Sequence, residues 1–204
     1  MKFGFFVLSL LLAGCQTVVN NYHGQRLDSV DSFRENSIKG AQEVDINTYR
    51  LEVSGLVESP KSYTYSEVLA HASIQKVVTL NCVEGWSATV LWTGVRVTDL
   101  LDETGPMPEA NTVIFRAVDG YSTSLPLSYV RDKNIILASS INNATLTPAK
   151  GFPFQLVAED KWGYKWIKWV KSIELSSNAS YRGYWEGRGF NNLGDLHGPK
   201  LEQG

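Results

Sequence analysis

The apolar residues of this chain recur in short alternating runs separated by turn residues, a pattern that constrains the fold more than any other feature. Tyr49, Leu51 and Val53 alternate with polar neighbours and stop at Gly55, the period of a strand with one buried face. Further strands are predicted at Gln75 to Asn81, Ala88 to Trp92, Thr112 to Ala117, Tyr121 to Leu125, Ile135 to Ser140, Phe154 to Ala158 and Val170 to Leu175. Helical signals are few and brief. Thr64 and Glu67 have the spacing of a capping box ahead of Val68, Leu69 and Ala72, and Thr98 reads as an N-cap before Asp99, Leu100 and Leu101. Strands that outnumber short helices without regular βα alternation predict a mixed, β-rich α+β fold in a single domain. With 204 residues, 43% of them apolar, the chain can fill such a core. The domain is expected from about Asn36 to Leu175, with a tail rich in glycine and aromatics wrapping back over it.

The N-terminus carries a different signal. Lys2 precedes a charge-free run from Phe3 to Ala13, the length of a signal-peptide core and well short of the roughly 20 residues a membrane span requires. The run ends Leu12-Ala13-Gly14-Cys15, which resembles the bacterial lipoprotein signal cleaved before a cysteine that becomes lipidated. This implies a signal peptide over residues 1–14, acyl chains on Cys15, and an exported protein lipid-anchored in the bacterial cell envelope on the periplasmic side. Residues 15–33 are expected to be a tether, since Gln16 to about Arg26 is polar and lacks periodic apolar positions. There are two cysteines, so lipid on Cys15 leaves Cys82 without an internal disulfide partner. Nineteen basic against 21 acidic residues argue against nucleic acid as a partner, because phosphate-backbone binding is driven by excess Lys and Arg.

Chemistry concentrates around the second cysteine. Leu80-Asn81-Cys82-Val83-Glu84-Gly85-Trp86-Ser87 places a thiol at a strand end, a carboxylate two residues later, and a glycine that lets backbone approach a ligand. A thiolate is a soft metal ligand and a nucleophile, whereas a cysteine in an apolar strand is also a common core residue. A cysteine hydrolase would need a histidine base, and His23, His71 and His197 lie in the tether, a short helix and the tail. The same scatter gives none of the usual zinc spacings. Asp119-Gly120 reads as a turn, followed by hydroxyls at Tyr121, Ser122, Thr123 and Ser124 that could line a polar pocket. The run Lys161-Trp162-Gly163-Tyr164-Lys165-Trp166-Ile167-Lys168-Trp169 interleaves lysines with aromatics. That composition suits single-stranded nucleic acid, a phosphate held by the Gly163 backbone and Lys165, or tryptophans in the core under a solvated lysine face.

Taken together, the segments Cys82-Val83-Glu84-Gly85-Trp86-Ser87, Trp92-Thr93-Gly94-Val95, Asp99-Leu100-Leu101, Asp119-Gly120-Tyr121, Gly151-Phe152-Pro153-Phe154-Gln155-Leu156-Val157, Trp162-Gly163-Tyr164-Lys165-Trp166 and Gly183-Tyr184-Trp185-Glu186 resemble the molybdopterin-binding domain of the sulfite oxidase family. The resemblance covers residues 34–190 and leaves residues 191–204 as a C-terminal tail. It implies a mononuclear molybdenum held by a pyranopterin dithiolene and by one protein thiolate, Cys82. It also implies that Glu84 faces the metal's open side as a proton relay and that Gly163, Tyr164 and Lys165 contact the pterin phosphate. Arg34 and Asn36 would reach the pterin from the N-terminal arm, and Tyr121 would form part of the catalytic pocket wall. The reaction implied is oxygen-atom transfer on a small oxyanion or a sulfoxide-type molecule, with electrons exchanged through a separate redox protein.

Two departures bear on this reading. Gln155 stands where some relatives carry arginine, and the signal lacks the arginine pair that exports cofactor-loaded enzymes folded. They point to an alternative, a cofactor-free lipoprotein that keeps the fold as a binding or assembly module. Glu84 and Lys165 point back to the enzyme.

Overall fold

The computed structural model describes residues 18–202, so the predicted signal segment and Cys15 lie outside the described residues. Two sheets carry the fold. In the first, β5 (Ser73–Asn81) and β6 (Ser87–Arg96) form a hairpin paired without a break from Ser73↔Val95 to Asn81↔Ser87. β6 then pairs antiparallel with β9 (Ile136–Ile141), whose other edge takes β10 (Ala144–Thr145) and β11 (Gln155–Val157). The β6–β9 register shifts between Thr93 and Gly94. A Cβ at Gly94 would lie 2.0 Å from the Leu137 carbonyl oxygen, so only glycine lets the strands meet there.

The second sheet runs β4-β3-β12-β7-β8, built from β3 (Leu51–Gly55), β4 (Lys61–Tyr63), β7 (Thr112–Ala117), β8 (Ser122–Pro126) and β12 (Val170–Ser176). Its neighbours are antiparallel except for the parallel β3–β12 pair. One core serves both sheets. It takes Leu51, Val53, Phe115 and Ile173 from the second, Val90, Trp92, Ile136 and Leu137 from the first, and Leu100 and Leu101 from the short helix α2 (Val97–Asp102). The mixed, strand-rich architecture with few helices is the one the periodicity predicts.

Local signals fare unevenly. The Thr64/Glu67 capping box is present in full at the start of α1 (Tyr65–Leu69). Thr98 is not an N-cap: α2 begins one residue earlier, Arg96 holds the cap position without a side-chain bond, and Thr98 is buried. Helix α3 (Leu127–Asp132) has no side-chain cap to announce it. Nor is the described part of the expected tether a free spacer. Asn21–Tyr22 and Gln25–Arg26, strands β1 and β2, form a small hairpin. The Val19 N–H donates to the Asn142 carbonyl at 3.0 Å, the Asp28 N–H donates to the Thr89 carbonyl at 2.8 Å, and Leu27 is buried. The C-terminal segment packs against β8. A Cβ at Gly183 would lie 2.2 Å from the Ser122 carbonyl oxygen, and the Tyr184 N–H donates to that same oxygen at 2.9 Å.

A surface network ties β4 to α1 and α2. Glu103 accepts from Lys61 and Tyr63, each at 2.8 Å, and its other oxygen lies 2.8 Å from His71 Nε2. These partners hold the Glu103 carboxyl down at about 2, and the Glu103 bond and backbone carbonyls raise His71 despite its partial burial. A depressed carboxyl stabilises the fold above its ordinary 4.5 and loses that contribution as pH falls toward about 2. A raised histidine contributes below its ordinary 6.5 and loses that on alkalinisation. The network is therefore strongest between pH 4.5 and 6.5. Solvent screening limits it to about 1 kcal/mol or less. The melting-temperature deficit of Glu103→Gln is expected to peak in that window and vanish near pH 2. A deficit that does not vary with pH would refute the assignment.

Candidate cofactor site

A cavity of about 540 Å³ opens where the Cys82 end of β5 meets the turn after β7. It is of the size of small-molecule sites in general. Its floor is the loop that closes the β5–β6 hairpin. The Cys82 N–H donates to the Trp86 carbonyl at 2.9 Å and the Gly85 N–H to the Cys82 carbonyl at 3.1 Å, a turn that Gly85 permits through its φ of +93°. Cys82 is buried, a free thiol, and accepts a hydrogen bond from Asn36 Nδ2 at 3.5 Å. Burial pushes the thiol up, and Glu84's charge adds to the rise. The N–H groups of Glu84 and Val83 and the Asn36 amide act in the opposite direction. This thiol is therefore neutral until a cation displaces its proton.

The structure gathers most of the predicted site residues around this cavity. Arg34, Asn36, Cys82, Glu84, Tyr121, Gly163 and Tyr164 all line it. Glu84 is exposed beside the thiol. A bridge between Asn81 and Trp162 lays the 163–165 turn along the end of β5, leaving the Gly163 Cβ direction 3.5 Å from Cys82 Cα. The Tyr121 hydroxyl donates to the Tyr164 carbonyl, so this phenol anchors the turn and its proton is already committed.

Lys165 is the clear correction. Its side chain is fully buried, with Nζ 2.6 Å from Glu186 Oε1 and 2.9 Å from the Ser124 carbonyl, and it takes no part in the cavity wall. An ammonium neutralised in this way has no charge to offer a phosphate. The hydroxyl row after Tyr121 likewise serves the tail and not the pocket. Thr123 donates to Glu186, Ser122 accepts from the Tyr181 hydroxyl, and Ser124 donates to the Tyr181 carbonyl. Two other lysines line the cavity in its place, Lys168 of the same lysine-aromatic run and Lys150, which the sequence did not single out. Among the described residues no group of three or more His, Cys, Asp and Glu side chains is placed to hold a metal ion.

Residues 38–185 match the model of the oxidoreductase molybdopterin-binding domain. The chain belongs to that family. Its relatives include a protein of Azospira oryzae named as a putative protein-methionine-sulfoxide reductase subunit, 37% identical over 75% of this chain and 58% of the relative. An uncharacterised oxidoreductase of Bacillus subtilis is 33% identical over 74% of this chain and 76% of its own. The protein-methionine-sulfoxide reductase catalytic subunit of Xanthomonas campestris is 28% identical over 78% and 53% respectively. The sulfane dehydrogenase of Paracoccus pantotrophus superposes with a TM-score of 0.65 at 25% identity, over 68% of this chain and 40% of that one. The chain thus spans between two fifths and three quarters of the proteins it matches.

The molybdopterin-binding domain family takes its name from a cofactor whose demands this cavity meets. A buried thiol stands at its floor beside the close backbone approach at Gly163. The indole N–H of Trp86, on the wall, is buried with no acceptor among the described residues and can donate to a bound molecule.

Proposed function

We propose that this chain is the catalytic part of a lipid-anchored molybdopterin oxidoreductase of the bacterial cell envelope that reduces a sulfoxide-type substrate. The carrying observation is the arrangement of Cys82, Asn36 and Glu84 at the mouth and floor of one cavity. When bound there, the molybdenum cofactor supplies two-electron oxygen-atom transfer chemistry. Cys82 would give the single protein thiolate, with the Asn36 amide fixing the sulfur's orientation. Glu84, exposed beside the thiol, is placed to deliver protons to a leaving oxygen. The balance is a sulfoxide, two electrons and two protons giving a thioether and water. A carboxylate next to the reacting position disfavours an anionic substrate, whereas the aromatic side chains of Trp86, Tyr121, Trp185 and Phe190 suit a neutral one. Two relatives named for methionine-sulfoxide reduction support the same direction.

Electrons would arrive from a separate redox protein, and acyl chains on Cys15 would hold the domain at the periplasmic face of a membrane, within reach of it. Among the described residues no helix is long and apolar enough to cross a membrane. The test is turnover with a reduced viologen dye as electron donor. Protein purified from its own host is expected to oxidise the dye on addition of dimethyl sulfoxide or methionine sulfoxide, and not on addition of sulfate. Protein with a full complement of cofactor that leaves both sulfoxides unreduced would overturn the substrate class.

A further inference from the structure

We propose that the hairpin of β1 and β2 is the membrane-facing surface of this protein, held against the lipid headgroups by the short link to Cys15. The inference rests on the reading of Cys15 as a lipid site given above.

The link is short because the chain docks early. β9 covers the outer edge of β6 only from Trp92 onward, and the N-terminal arm takes the part of that edge ahead of it. The Asp28 N–H donates to the Thr89 carbonyl at 2.8 Å, and the Asp28 carboxylate accepts from the Thr89 N–H at 2.7 Å. Buried Asn142 completes the seam. Its side-chain amide accepts from the Leu91 N–H and donates to the Asp28 carbonyl, each at 2.9 Å, and its own carbonyl takes the Val19 N–H at 3.0 Å. The arm is thus bonded to the body of the domain from Val19 on, four residues after Cys15. Four residues reach at most about 14 Å. The headgroup layer takes roughly 5–8 Å of that, since acyl chains must enter the hydrocarbon beneath it. What remains is too little to let the domain turn over, so the face that starts at Val19 lies on the bilayer.

The chemistry of that face suits headgroups. From Val18 to Leu27 there is no acidic residue, on a chain whose acidic residues outnumber its basic ones. The segment exposes Val18, Asn20, His23, Gln25 and Arg26, and Arg26 supplies a cation for lipid phosphate. The same docking sets the place of the cavity. Tyr22 donates to Gln75 at 3.1 Å, Asp28 sits at Thr89, which is paired with Thr79, and Asn36 reaches Cys82. The arm therefore climbs the β5–β6 hairpin from the anchored end to the closed end. Cys82 lies seven residues beyond Gln75, which keeps the cavity roughly 23 Å along the strand from the lipid side.

The test is chemical footprinting of two exposed histidines, His23 in the hairpin and His197 in the tail. Consecutive residues of β5 face opposite ways, Gln75 toward the hairpin and Lys76 toward Glu159. Asp160, next to that glutamate, accepts from the Leu196 N–H, which puts His197 across the sheet from His23. The lipidated full chain, added to vesicles of phosphatidylethanolamine and phosphatidylglycerol, is treated with diethyl pyrocarbonate, and modification of each histidine is read by mass spectrometry. The comparison is a variant with a flexible Gly/Ser insert of about 20 residues between Thr17 and Val18, which spans roughly 25 Å. With both proteins vesicle-bound, the ratio of His23 to His197 modification is expected to be severalfold lower in the parent than in the insertion variant.

Equal ratios in the two proteins would overturn the proposal. Protection of His23 that appears only as protein density on the vesicles rises would assign the face to a second copy of the chain and equally overturn it. Mass analysis of the N-terminal peptide keeps the two readings apart. A Cys15 without acyl chains overturns the anchor itself, whereas acylated protein with equal ratios overturns only the orientation.

Discussion

Replacing Cys82 with serine is expected to strip molybdenum from the protein and abolish sulfoxide reduction, while the fold survives. The exchange keeps the side chain's shape at a site that is 8% exposed, so its structural cost should be about 1 kcal/mol or less. The chemical cost is far larger, because a hydroxyl is neither soft nor readily ionised and cannot replace a thiolate on the metal. Elemental analysis of the purified variant should show molybdenum below about a tenth of the parent's content, with a cooperative melt within a few degrees of it. Full molybdenum in a folded Cys82→Ser protein would show that Cys82 is not the ligand. Glu84→Gln separates holding from chemistry. It should retain the metal and lose turnover by about 10²-fold to 10⁴-fold, the range for a positioned proton donor.

The second large effect is on stability and lies behind the cavity. Lys165 and Glu186 are both fully buried and joined at 2.6 Å. Thr123 donates to the same Glu186 oxygen, while Oε2 has no hydrogen-bond partner among the described residues. Burial lowers the Lys165 ammonium and the Glu186 carboxylate beside it opposes that. Glu186→Ala leaves an unpaired buried cation, and the expected loss is about 3–5 kcal/mol. That corresponds to roughly 6–20 °C in melting temperature for a domain of this size. The compensated double variant Lys165→Met/Glu186→Leu should recover most of the loss, because two apolar side chains can replace a buried pair at little cost. If Glu186→Ala melted within a degree or two of the parent, the pair would be structurally unimportant. If the double variant lost cofactor while folding normally, Lys165 would have a role at the pterin after all.

Lys165 also marks where the sequence ceases to be readable. Its motif is local and recognisable, but its partner lies 21 residues onward in a tail that returns over β8. No short-range pattern reports such a pairing, so a buried structural ion reads as a free cation. The reverse holds for Lys150 and Lys168, which look like ordinary surface lysines in the sequence yet both line the cavity. Tyr121 was placed on the correct wall, yet its phenol serves the Tyr164 carbonyl.

Legible features were those carried by local physics. Thr112–Ala117 matches its strand prediction residue for residue because turn and loop signals bound a run buried at nearly every position. The Thr64 capping box is complete because both of its bonds lie within four residues. Cys82's own segment suits a core cysteine as well as a ligand, and only the resemblance carried by several distant segments points to it; the structure places it on the cavity wall. The tether was misread because Leu27 is the lone fully buried apolar residue among residues 18–33, and the hairpin before it is held by backbone bonds that leave no hydrophobic pattern.

The central claim, that this cavity holds molybdenum through Cys82, is tested most directly on protein purified from its own membrane. Metal analysis paired with pterin fluorescence after acid oxidation should give about one molybdenum and one pterin per chain. Folded, natively produced protein that contains neither would contradict the account.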